Sequence, residues 1–499
     1  MTTIIPRWEW RTFAADLRSA DETFARLEPS AVAESDETYF LAPGGENVKV
    51  RDELIDIKVL REVDADGLER WEPVLKSPFP LTQEQVGTVL SSLKCSESAA
   101  TRGAATQADL EAIVEAQPGA RVVPVHKSRV RYTVGGCMAE RSELRVGGRT
   151  VTTIAVESTD AAAVVAAVAS LGLADYLNTN YPDGLAVLLD DVAPRYAVID
   201  VGTNSVKFHI GERAPDGTWR TVVDRADVTR LGEGLAAGGE IQPEPLERTI
   251  TAISGMVDEA RRNHVQAIAA VGTEGLRQAS NGTAVTDQIH ARTGVRVDVI
   301  PGQEEGRLAY LAVRAGLGVV DGRLAIFDTG GGSSQFTFGD GDRVNEQFSV
   351  PVGAVRFTER FDLDREVADD TLRDALGAIA TDLGRLDGRP SPDVLVGMGG
   401  AITNITAVKH EMAAYDPEVV QGSVLDRDEI DRQIELYRSR DADARRSIVG
   451  LQPKRAEVIL TGACVVRTVM DKLGEDRLIV SDRGLRHGVL VERFGGRQQ

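Results

Sequence analysis

The feature that most constrains this chain is a short pattern that occurs twice. Residues 196–205 form an apolar strand that ends in Asp200 and runs into a Gly/Ser-containing turn, and residues 324–334 repeat this plan around Asp328. A second strand follows each turn, so each copy predicts a β-hairpin. The two copies lie about one domain length apart. They therefore predict two similar α/β lobes in tandem, with a cleft between the matched hairpins.

The chain has 499 residues, which is more than one hydrophobic core usually accommodates. Before residue 190, period-2 alternation predicts a strand-rich domain, whereas strands alternate with long helices afterwards. We therefore expect an N-terminal domain at residues 1–190, a first lobe at residues 195–318 and a second lobe at residues 319–499.

Charge and composition limit the classes of ligand. Hydrophobic residues make up 42% of the chain and charged residues 27%, which is typical of a globular protein. The net charge of −20 disfavours a nucleic-acid partner, because phosphate repels an acidic chain. A polyanionic ligand would need a local cationic lining or a bound metal ion. Because we see neither a signal peptide nor a membrane-spanning stretch, we expect a cytoplasmic protein with no membrane partner.

The two turns have the composition of phosphate-binding loops. Glycine lets the backbone approach a ligand closely, and successive N–H groups in such a turn form a concavity that binds anions. Asp200 and Asp328 precede the turns, where a carboxylate can hold Mg²⁺ directly or through water. Two ordinary hairpins with solvated aspartates are the alternative. The predicted phosphate-binding residues of the turns are Gly202, Thr203, Asn204, Ser205, Gly330, Gly331, Gly332, Ser333 and Ser334.

Further candidates lie beside other predicted strand ends. Gly399 and Gly400 follow an apolar strand and precede a helix whose N-terminus can face phosphate. Arg230 and Arg277 stand beside turns, and a guanidinium group suits phosphate oxygens. Glu304 and Glu305 lie in the first turn of a predicted helix. Either one of them is a general base for hydrolysis, or both are carboxylates favoured by the helix dipole at a helix start. A Walker P-loop motif is absent, which counts against a P-loop NTPase.

Five motifs in order give the stretch from residue 196 to about residue 494 a specific resemblance to a known family. The motifs occupy residues 200–205, 230–234, 303–307, 328–334 and 481–488. This stretch resembles the exopolyphosphatase/guanosine pentaphosphate phosphohydrolase family, part of the actin-like ATPase superfamily. The resemblance implies two tandem actin-like (ribonuclease H-like) lobes. It also implies Mg²⁺-assisted hydrolysis of a terminal phosphoanhydride, with Glu305 as general base and Asp200 and Asp328 near the metal ion.

One residue departs from that family pattern and keeps other functions open. Gln335 stands where the family usually has glutamate, and an amide lacks the charge that helps to hold a cation. We expect an exopolyphosphatase acting on inorganic polyphosphate. The alternatives are a catalytically impaired protein that binds polyphosphate or guanosine polyphosphate, a guanosine pentaphosphate phosphohydrolase, and, more remotely, a sugar or acetate kinase. The sequence is compatible with a homodimer.

Short matches lie at residues 8–11, 36–40, 49–51, 56–58, 129–131 and 156–157. Through them, the stretch from about residue 4 to residue 189 resembles a divergent CYTH (triphosphate-tunnel) domain, which implies an α+β antiparallel barrel. Alternate residues of a strand share one face, so several cations are expected to line the barrel interior. Arg7 replaces one carboxylate of the family's metal site, and the late glutamate pair retains only Glu157. We therefore expect this domain to bind polyphosphate without cleaving it; a polar-faced sheet that only packs on the lobes is the alternative. The predicted polyanion-binding residues are Arg11, Lys49, Arg51, Lys58, Arg129 and Arg131.

Overall fold

In this computed structural model, the strand-rich N-terminal segment forms a closed antiparallel barrel. Its strands are β1 (Trp8–Ala14), β2 (Ala31–Leu41), β3 (Asn47–Arg51), β4 (Leu54–Val63), β5 (Glu69–Pro78), β6 (Arg121–Val134), β7 (Cys137–Val146) and β8 (Arg149–Ser158). They close in the order β1-β5-β4-β3-β2-β6-β7-β8. In a closed barrel, alternate residues of each strand face the interior. This architecture confirms the predicted barrel and fits a CYTH-like domain.

The structure describes residues 6–14, 17–96, 105–190, 192–235, 239–318 and 322–495. The chain divides into two compact units, residues 1–298 and 299–499. The predicted domain limits at residues 1, 319 and 499 lie outside the described residues, and the limits of the three domains stay predictions. Below, lobe I denotes the α/β part of the first unit, residues 195–298, and lobe II denotes the second unit. Within the described residues, no helix is both long enough and apolar enough to cross a membrane.

Helices cover the outer surface of the barrel and also close one of its ends. They are α1 (Arg18–Phe24), α2 (Gln83–Ser92), α3 (Gln107–Glu115), α4 (Ala161–Ser170) and α5 (Tyr181–Leu189). Thr82 and Thr106 cap α2 and α3 in capping boxes. In each box, the side chains of the cap residue and of the third helical residue accept each other's backbone N–H groups. Asn180 caps α5, and Tyr181 and Leu185 of that helix pack among apolar side chains of the barrel interior.

Lobe I is an α/β sheet with helices. Its elements are β9 (Arg195–Val201), β10 (Ser205–Arg213), β11 (Trp219–Val228), α6 (Pro243–Arg262), β12 (Val265–Gly272), α7 (Glu274–Gln278), α8 (Gly282–Thr293) and β13 (Val297–Val299). The sheet order is β11-β10-β9-β12-β13. Strand β10 is antiparallel to both neighbours, and β12 runs parallel to β9. An apolar core joins the sheet to the buried face of α6.

Lobe II repeats this arrangement and extends it. Its sheet has the order β16-β15-β14-β17-β19-β18, with β15 antiparallel to both neighbours and β17 parallel to β14. The elements are α9 (Gly302–Leu317), β14 (Arg323–Thr329), β15 (Ser334–Asp340), β16 (Arg343–Val350), α10 (Ala354–Phe361), α11 (Asp369–Asp382), β17 (Val394–Met398), α12 (Gly400–Lys409), α13 (Pro417–Val420), β18 (Val424–Asp426), α14 (Arg427–Arg438), α15 (Ala442–Arg445), α16 (Ile459–Leu473), β19 (Arg477–Ser481) and α17 (Leu485–Phe494). The buried helix α16 packs at the centre of the lobe II core.

The predicted fold class is confirmed by these two sheets. Each begins with a hairpin whose first strand then pairs in parallel with a later strand, as the repeated motif predicts. The division into compact units places helix α9 with lobe II, where it packs against α17. The sequence-based domain limits assign this helix to the first lobe instead.

Within the first unit, the barrel contacts lobe I at the start of strand β12. The segment Asp175–Leu177 pairs with it: the N–H of Leu177 donates to Gln266 O (2.9 Å), and the N–H of Ile268 donates to Asp175 O (2.8 Å). Asp66 of the barrel also accepts a hydrogen bond from Arg296 (2.7 Å). The phosphate-binding loops predicted for lobe I follow the C-terminal ends of β9 and β12, at the edge of the sheet remote from this contact. Because β12 has eight residues, about 25 Å of strand separates the two ends.

Candidate active site and cation-lined barrel

The turn of lobe I holds its aspartate beside a lysine. Asp200 lies on β9, directly opposite Lys207 of β10, and the N–H of Gly202 closes the turn by donating to Ser205 O (3.1 Å). The Asp200 side chain is 2% exposed, and its Oδ2 accepts a hydrogen bond from Lys207 Nζ (3.0 Å). The buried Oδ1 of Asp200 has no hydrogen-bond partner among the described residues. This oxygen is suited to accept a ligand.

Two neighbouring loops of lobe I converge on Thr203. The N–H of Gly232 donates to Thr203 O (2.8 Å), and the N–H of Arg230 donates to Asn204 O (2.9 Å). A methyl group on Gly232 would collide with the Thr203 side chain, and one on Gly275 would lie 2.8 Å from its hydroxyl oxygen. The absence of side chains at these glycines lets the three loops pack closely.

The structure thus brings the lobe I candidates to one end of the sheet. Arg230 and Arg277 are exposed beside the turn, as are Thr203 and Asn204, while Ser205 is half-buried. Arg230 has a φ of 50°, an uncommon conformation for a residue other than glycine. These residues and Gly202 stay predicted phosphate ligands.

The turn of lobe II has the same backbone hydrogen bond and a different cross-strand neighbour. The N–H of Gly330 donates to Ser333 O (2.9 Å), and Asp328 lies directly opposite Gln335. The Gln335 amide donates to Ser333 Oγ (3.1 Å). The carbonyl groups of Gly330 and Gly331 accept from the first N–H groups of α10, at 2.9 Å and 2.8 Å.

The hydroxyl groups of this turn differ in how accessible they are to a ligand. The Ser334 side chain is fully buried, and its hydroxyl donates to Val352 O (2.6 Å). Ser333 is half-buried, whereas Gly331 and Gly332 are exposed. Ser334 stays a predicted phosphate ligand, although its hydroxyl is already bonded inside the lobe. The exposed part of the turn is its glycine backbone.

Gly399 and Gly400 lie against two charged side chains. A methyl group on Gly399 would collide with the Asp328 carboxylate, and one on Gly400 would collide with the guanidinium group of Arg455. Gly399 has a φ of +88°, which other residues rarely adopt. Both glycines are therefore needed to bring a carboxylate and a guanidinium group to the start of α12.

Arg455 is a cation that sequence reasoning missed. It ends a 3₁₀ turn, Pro453–Arg455, that resembles an ordinary basic surface loop in the sequence. The turn is fixed from both sides. The N–H of Gln452 donates to Asn404 Oδ1 (2.9 Å), and the buried guanidinium group of Arg445 donates to Ala456 O (3.3 Å). No motif near residue 455 signals this placement, because it depends on the packing of α12 against distant loops.

Glu305 lies in the first turn of α9 and is half-buried. Its neighbour Glu304 accepts two hydrogen bonds from Arg307, at 2.8 Å and 2.6 Å. These bonds lower the pKa of the Glu304 carboxyl. Glu304 is thus held ionised by an arginine, which makes it a poor proton acceptor at neutral pH. Glu305 stays the predicted general base.

A group of cations surrounds a buried carboxylate inside the barrel. Glu37 of β2 is fully buried, and we call the four cations around it the cation cluster: Lys49, Arg51, Lys127 and Arg129. Lys127 Nζ lies 2.9 Å and Lys49 Nζ 3.1 Å from Glu37 Oε2, while the two arginines lie 3.9 Å and 3.8 Å from Oε1. Three members were predicted from the sequence; Lys127 and Glu37 were missed.

Burial and neighbouring charges shift the acid–base properties of this cluster. Burial lowers the pKa of Lys49 and of Lys127 to about 8. Burial opposes ionisation of Glu37, but Lys127 and Lys49 outweigh it and hold the pKa of that carboxyl far below its usual range. Glu37 is therefore a permanent internal anion at neutral pH.

The other predicted cations of the barrel lie around this cluster. Arg11 is buried, lies over the Tyr181 ring (4.2 Å) and pairs with Glu9 (3.0 Å). Arg131 pairs with Glu140 (3.1 Å), and Lys58 is half-buried on β4. Beyond the charged layer, the interior is filled by apolar side chains and by α5. The residues of this apolar layer are Phe13, Tyr39, Leu41, Val123, Val125, Leu144, Val146, Tyr181 and Leu185.

The α/β part of the chain is similar to known proteins of one family. Residues 212–495 match the model of the Ppx/GppA phosphatase family. The chain is 27% identical over 324 residues to exopolyphosphatase 2 of Mycobacterium tuberculosis, covering 60% of this chain and 99% of that protein. It is 28% identical over 309 residues to guanosine-5'-triphosphate,3'-diphosphate pyrophosphatase of Photobacterium profundum, covering 60% of this chain and 59% of that protein.

Similar proteins also include a bifunctional enzyme and a solved structure. The chain is 26% identical over 310 residues to bifunctional 3-dehydroquinate synthase/phosphatase of Fusobacterium nucleatum, and it spans 46% of that protein's length. The crystal structure of the Aquifex aeolicus Ppx/GppA phosphatase, type II variant, is 32% identical with a TM-score of 0.57. That match covers 60% of this chain and 99% of the Aquifex chain.

Proposed function

Because the chain belongs to the Ppx/GppA phosphatase family, we propose that it hydrolyses the terminal phosphoanhydride of inorganic polyphosphate. The observation that carries this proposal is the matched pair of glycine turns, each preceded by an aspartate. Relatives named exopolyphosphatase and guanosine-5'-triphosphate,3'-diphosphate pyrophosphatase support a phosphoanhydride substrate. We favour polyphosphate because the cation-lined barrel supplies a further polyanion site in the same chain.

In lobe I, a buried carboxylate fits a bound Mg²⁺ ion. The buried Asp200 Oδ1 lacks a hydrogen-bond partner among the described residues, and carboxylate oxygens are preferred ligands of Mg²⁺. Asp328 would be the corresponding ligand in lobe II. When bound, the ion would neutralise charge on the transferring phosphoryl group.

The protein's own residues would carry the remaining chemistry. Glu305 would accept a proton from the attacking water, and the backbone N–H groups of the two turns would bind the phosphate oxygens. Arg230, Arg277 and Arg455 would hold further phosphates of the chain through their guanidinium groups. Little covalent chemistry is required of the protein, because phosphoryl transfer depends mainly on positioning and charge stabilisation.

For the barrel, we propose that it binds polyphosphate without cleaving it. The cation cluster and Arg11 provide charge-assisted hydrogen-bond donors for a polyanion. Cleavage is disfavoured because Arg7, which forms an ion pair with Glu157 (3.7 Å), stands where the CYTH domain that this segment resembles has a metal-binding carboxylate. The barrel contacts lobe I at the end of β12 remote from the turn, about 25 Å away by strand length. Only a long chain would reach from one site to the other, so the barrel should favour long substrates by added valency.

The main experiment measures phosphate release from long-chain polyphosphate by the full chain with Mg²⁺. We expect release by the wild type and a loss of at least 100-fold in Glu305→Ala, since a general base contributes about 10²- to 10⁴-fold. Glu304→Gln is the matched control, because Glu304 is held by Arg307. Equal release by the wild type and Glu305→Ala would contradict the assigned role of Glu305, and faster release from guanosine pentaphosphate would reassign the substrate.

Gln335 favours a second candidate function, that of an impaired protein that senses polyphosphate or guanosine polyphosphate. Its neutral amide lies opposite Asp328, where the resembling family usually has a carboxylate. Calorimetry that finds tight polyphosphate binding without turnover in the wild type, together with turnover in Gln335→Glu, would select this candidate. Turnover by the wild type would exclude it.

A further inference from the structure

The barrel contains its own anion at the centre of the cation cluster. Both oxygens of Glu37 accept hydrogen bonds: Oε2 from Lys127 Nζ (2.9 Å), Lys49 Nζ (3.1 Å) and the Tyr39 hydroxyl (3.0 Å), and Oε1 from the Ser35 hydroxyl (3.2 Å). Arg129 reaches the same group through Ser35 Oγ (2.9 Å). These donors converge on one carboxylate as they would on a bound phosphate group.

This arrangement has an electrostatic reason. Four cations on neighbouring strands, largely removed from water, repel one another and need a counter-charge. The strand order places β2 between β3 and β6, so Glu37 faces Lys49 and Arg51 on one side and Lys127 and Arg129 on the other. Glu37 is the carboxylate in contact with all four cations, while Glu140 of β7 also acts on Lys127 and Arg129. Positive charge stays in excess around Glu37, and this excess can attract a ligand.

A polyanion that enters the cluster therefore meets both attraction and repulsion. It shares its donors with Glu37, whose carboxylate stays ionised and lies within the same layer of the barrel. A single phosphate group has to compete with this fixed anion at close range, whereas a chain of several phosphates brings enough charge to engage the outer cations as well.

We propose that Glu37 acts as an internal competitor that weakens anion binding in the barrel and thereby restricts the site to ligands with several linked phosphates. This inference rests on the proposed binding of polyphosphate by the barrel. It adds the residue that sets how many linked phosphates a ligand needs in order to bind. Glu37 is a specificity-determining residue of the binding site and has no catalytic role in it.

The test compares the binding of tripolyphosphate and of inorganic phosphate to the full chain by calorimetry at pH 6.5. At this pH the lysines of the cluster are charged, since their pKa is about 8. We expect Glu37→Gln to bind tripolyphosphate at least tenfold more tightly than the wild type and to bind inorganic phosphate measurably. Glu34→Gln is the matched control, because Glu34 lies on the same strand and is exposed; its affinity should equal that of the wild type.

Two further variants separate the possible outcomes. Lys49→Met identifies the part of the binding that belongs to the barrel. If Glu37→Gln fails to fold, the charge-balanced pair Glu37→Gln/Lys127→Met should still bind tripolyphosphate at least tenfold more tightly than Lys127→Met alone. If the wild type binds tripolyphosphate and Glu37→Gln binds it equally or more weakly, this inference is overturned, while the proposal that the barrel binds polyphosphate remains. A lack of binding by every variant, or binding that Lys49→Met leaves unchanged, would overturn the barrel proposal itself, and with it the role of Glu37.

Discussion

The two glycine-turn hairpins share a backbone and differ in the partners of their carboxylates. Both turns close with an N–H of the first glycine donating to the serine carbonyl three residues later, at 3.1 Å in lobe I and 2.9 Å in lobe II. In lobe I the residue opposite the aspartate is Lys207, which donates to Asp200. In lobe II that position is Gln335, a neutral amide.

From this difference we expect unequal roles for the two aspartates. Asp200 is buried, with one oxygen neutralised by a lysine and the other without a hydrogen-bond partner among the described residues. Asp328 is half-buried and lies on the backbone of Gly399. A repeated fold therefore does not imply repeated chemistry, because a cross-strand neighbour decides how much charge each turn presents to a ligand.

The largest effect is expected from replacing the aspartates one at a time. Asp200→Asn should lower phosphate release by about 100-fold or more, because the buried oxygen is the better-prepared cation ligand. Asp328→Asn should lower it by about tenfold, since water can partly replace a half-buried carboxylate. Phosphate release at several Mg²⁺ concentrations checks both values. Equal losses in the two variants would show that the turns are equivalent.

A second test addresses the backbone on which Asp328 rests. Gly399→Ala should lower the free energy of unfolding by about 2–3 kcal/mol, because alanine is strained at a φ of +88° and collides with the Asp328 carboxylate. Gly332→Ala, in the turn itself, has open space around the added methyl group and should cost no more than about 0.5 kcal/mol. Urea unfolding of both variants measures the difference, and similar values would remove the special role of Gly399.

Gln335 is the residue that distinguishes the lobe II hairpin from that of lobe I. Gln335→Glu places two carboxylates at opposite positions of the hairpin, with Cβ atoms about 5 Å apart. We expect the Mg²⁺ concentration for half-maximal phosphate release to fall about tenfold. Asn345→Asp is the control, because it adds the same charge at an exposed position of the neighbouring strand. If both variants respond alike, net charge rather than cross-strand position is responsible.

The sequence predicts some of these features well, and the reason is local. A strand that ends in aspartate and glycine specifies its own turn, so both hairpins and their order along the chain follow from short motifs. Alternation along a strand likewise predicted that Lys49 and Arg51 share a face, as do Arg129 and Arg131. Lys127 follows from the same spacing on β6 and could have been included.

Other features depend on contacts that alternation cannot specify. Glu37 belongs to the cation cluster only because β2 pairs with both β3 and β6, and strand order is not encoded in any one strand. Arg455 reaches Gly400 from a turn that follows it by more than fifty residues. The neutralising role of Lys207 was also missed, because a lysine two residues after a turn resembles a surface residue until its cross-strand partner is known.

The smallest effect is expected from replacing Lys207. Lys207→Gln makes the lobe I hairpin resemble that of lobe II and should lower the free energy of unfolding by about 1 kcal/mol, because Asp200 loses its charged donor. The value is modest since the Lys207 side chain is 45% exposed and partly screened by water. Urea unfolding at low salt and in 1 M NaCl measures it, and the difference should shrink at high salt. A loss that is independent of salt would mean that Lys207 supports the hairpin by packing, and the contrast with Gln335 would then be one of shape rather than of charge.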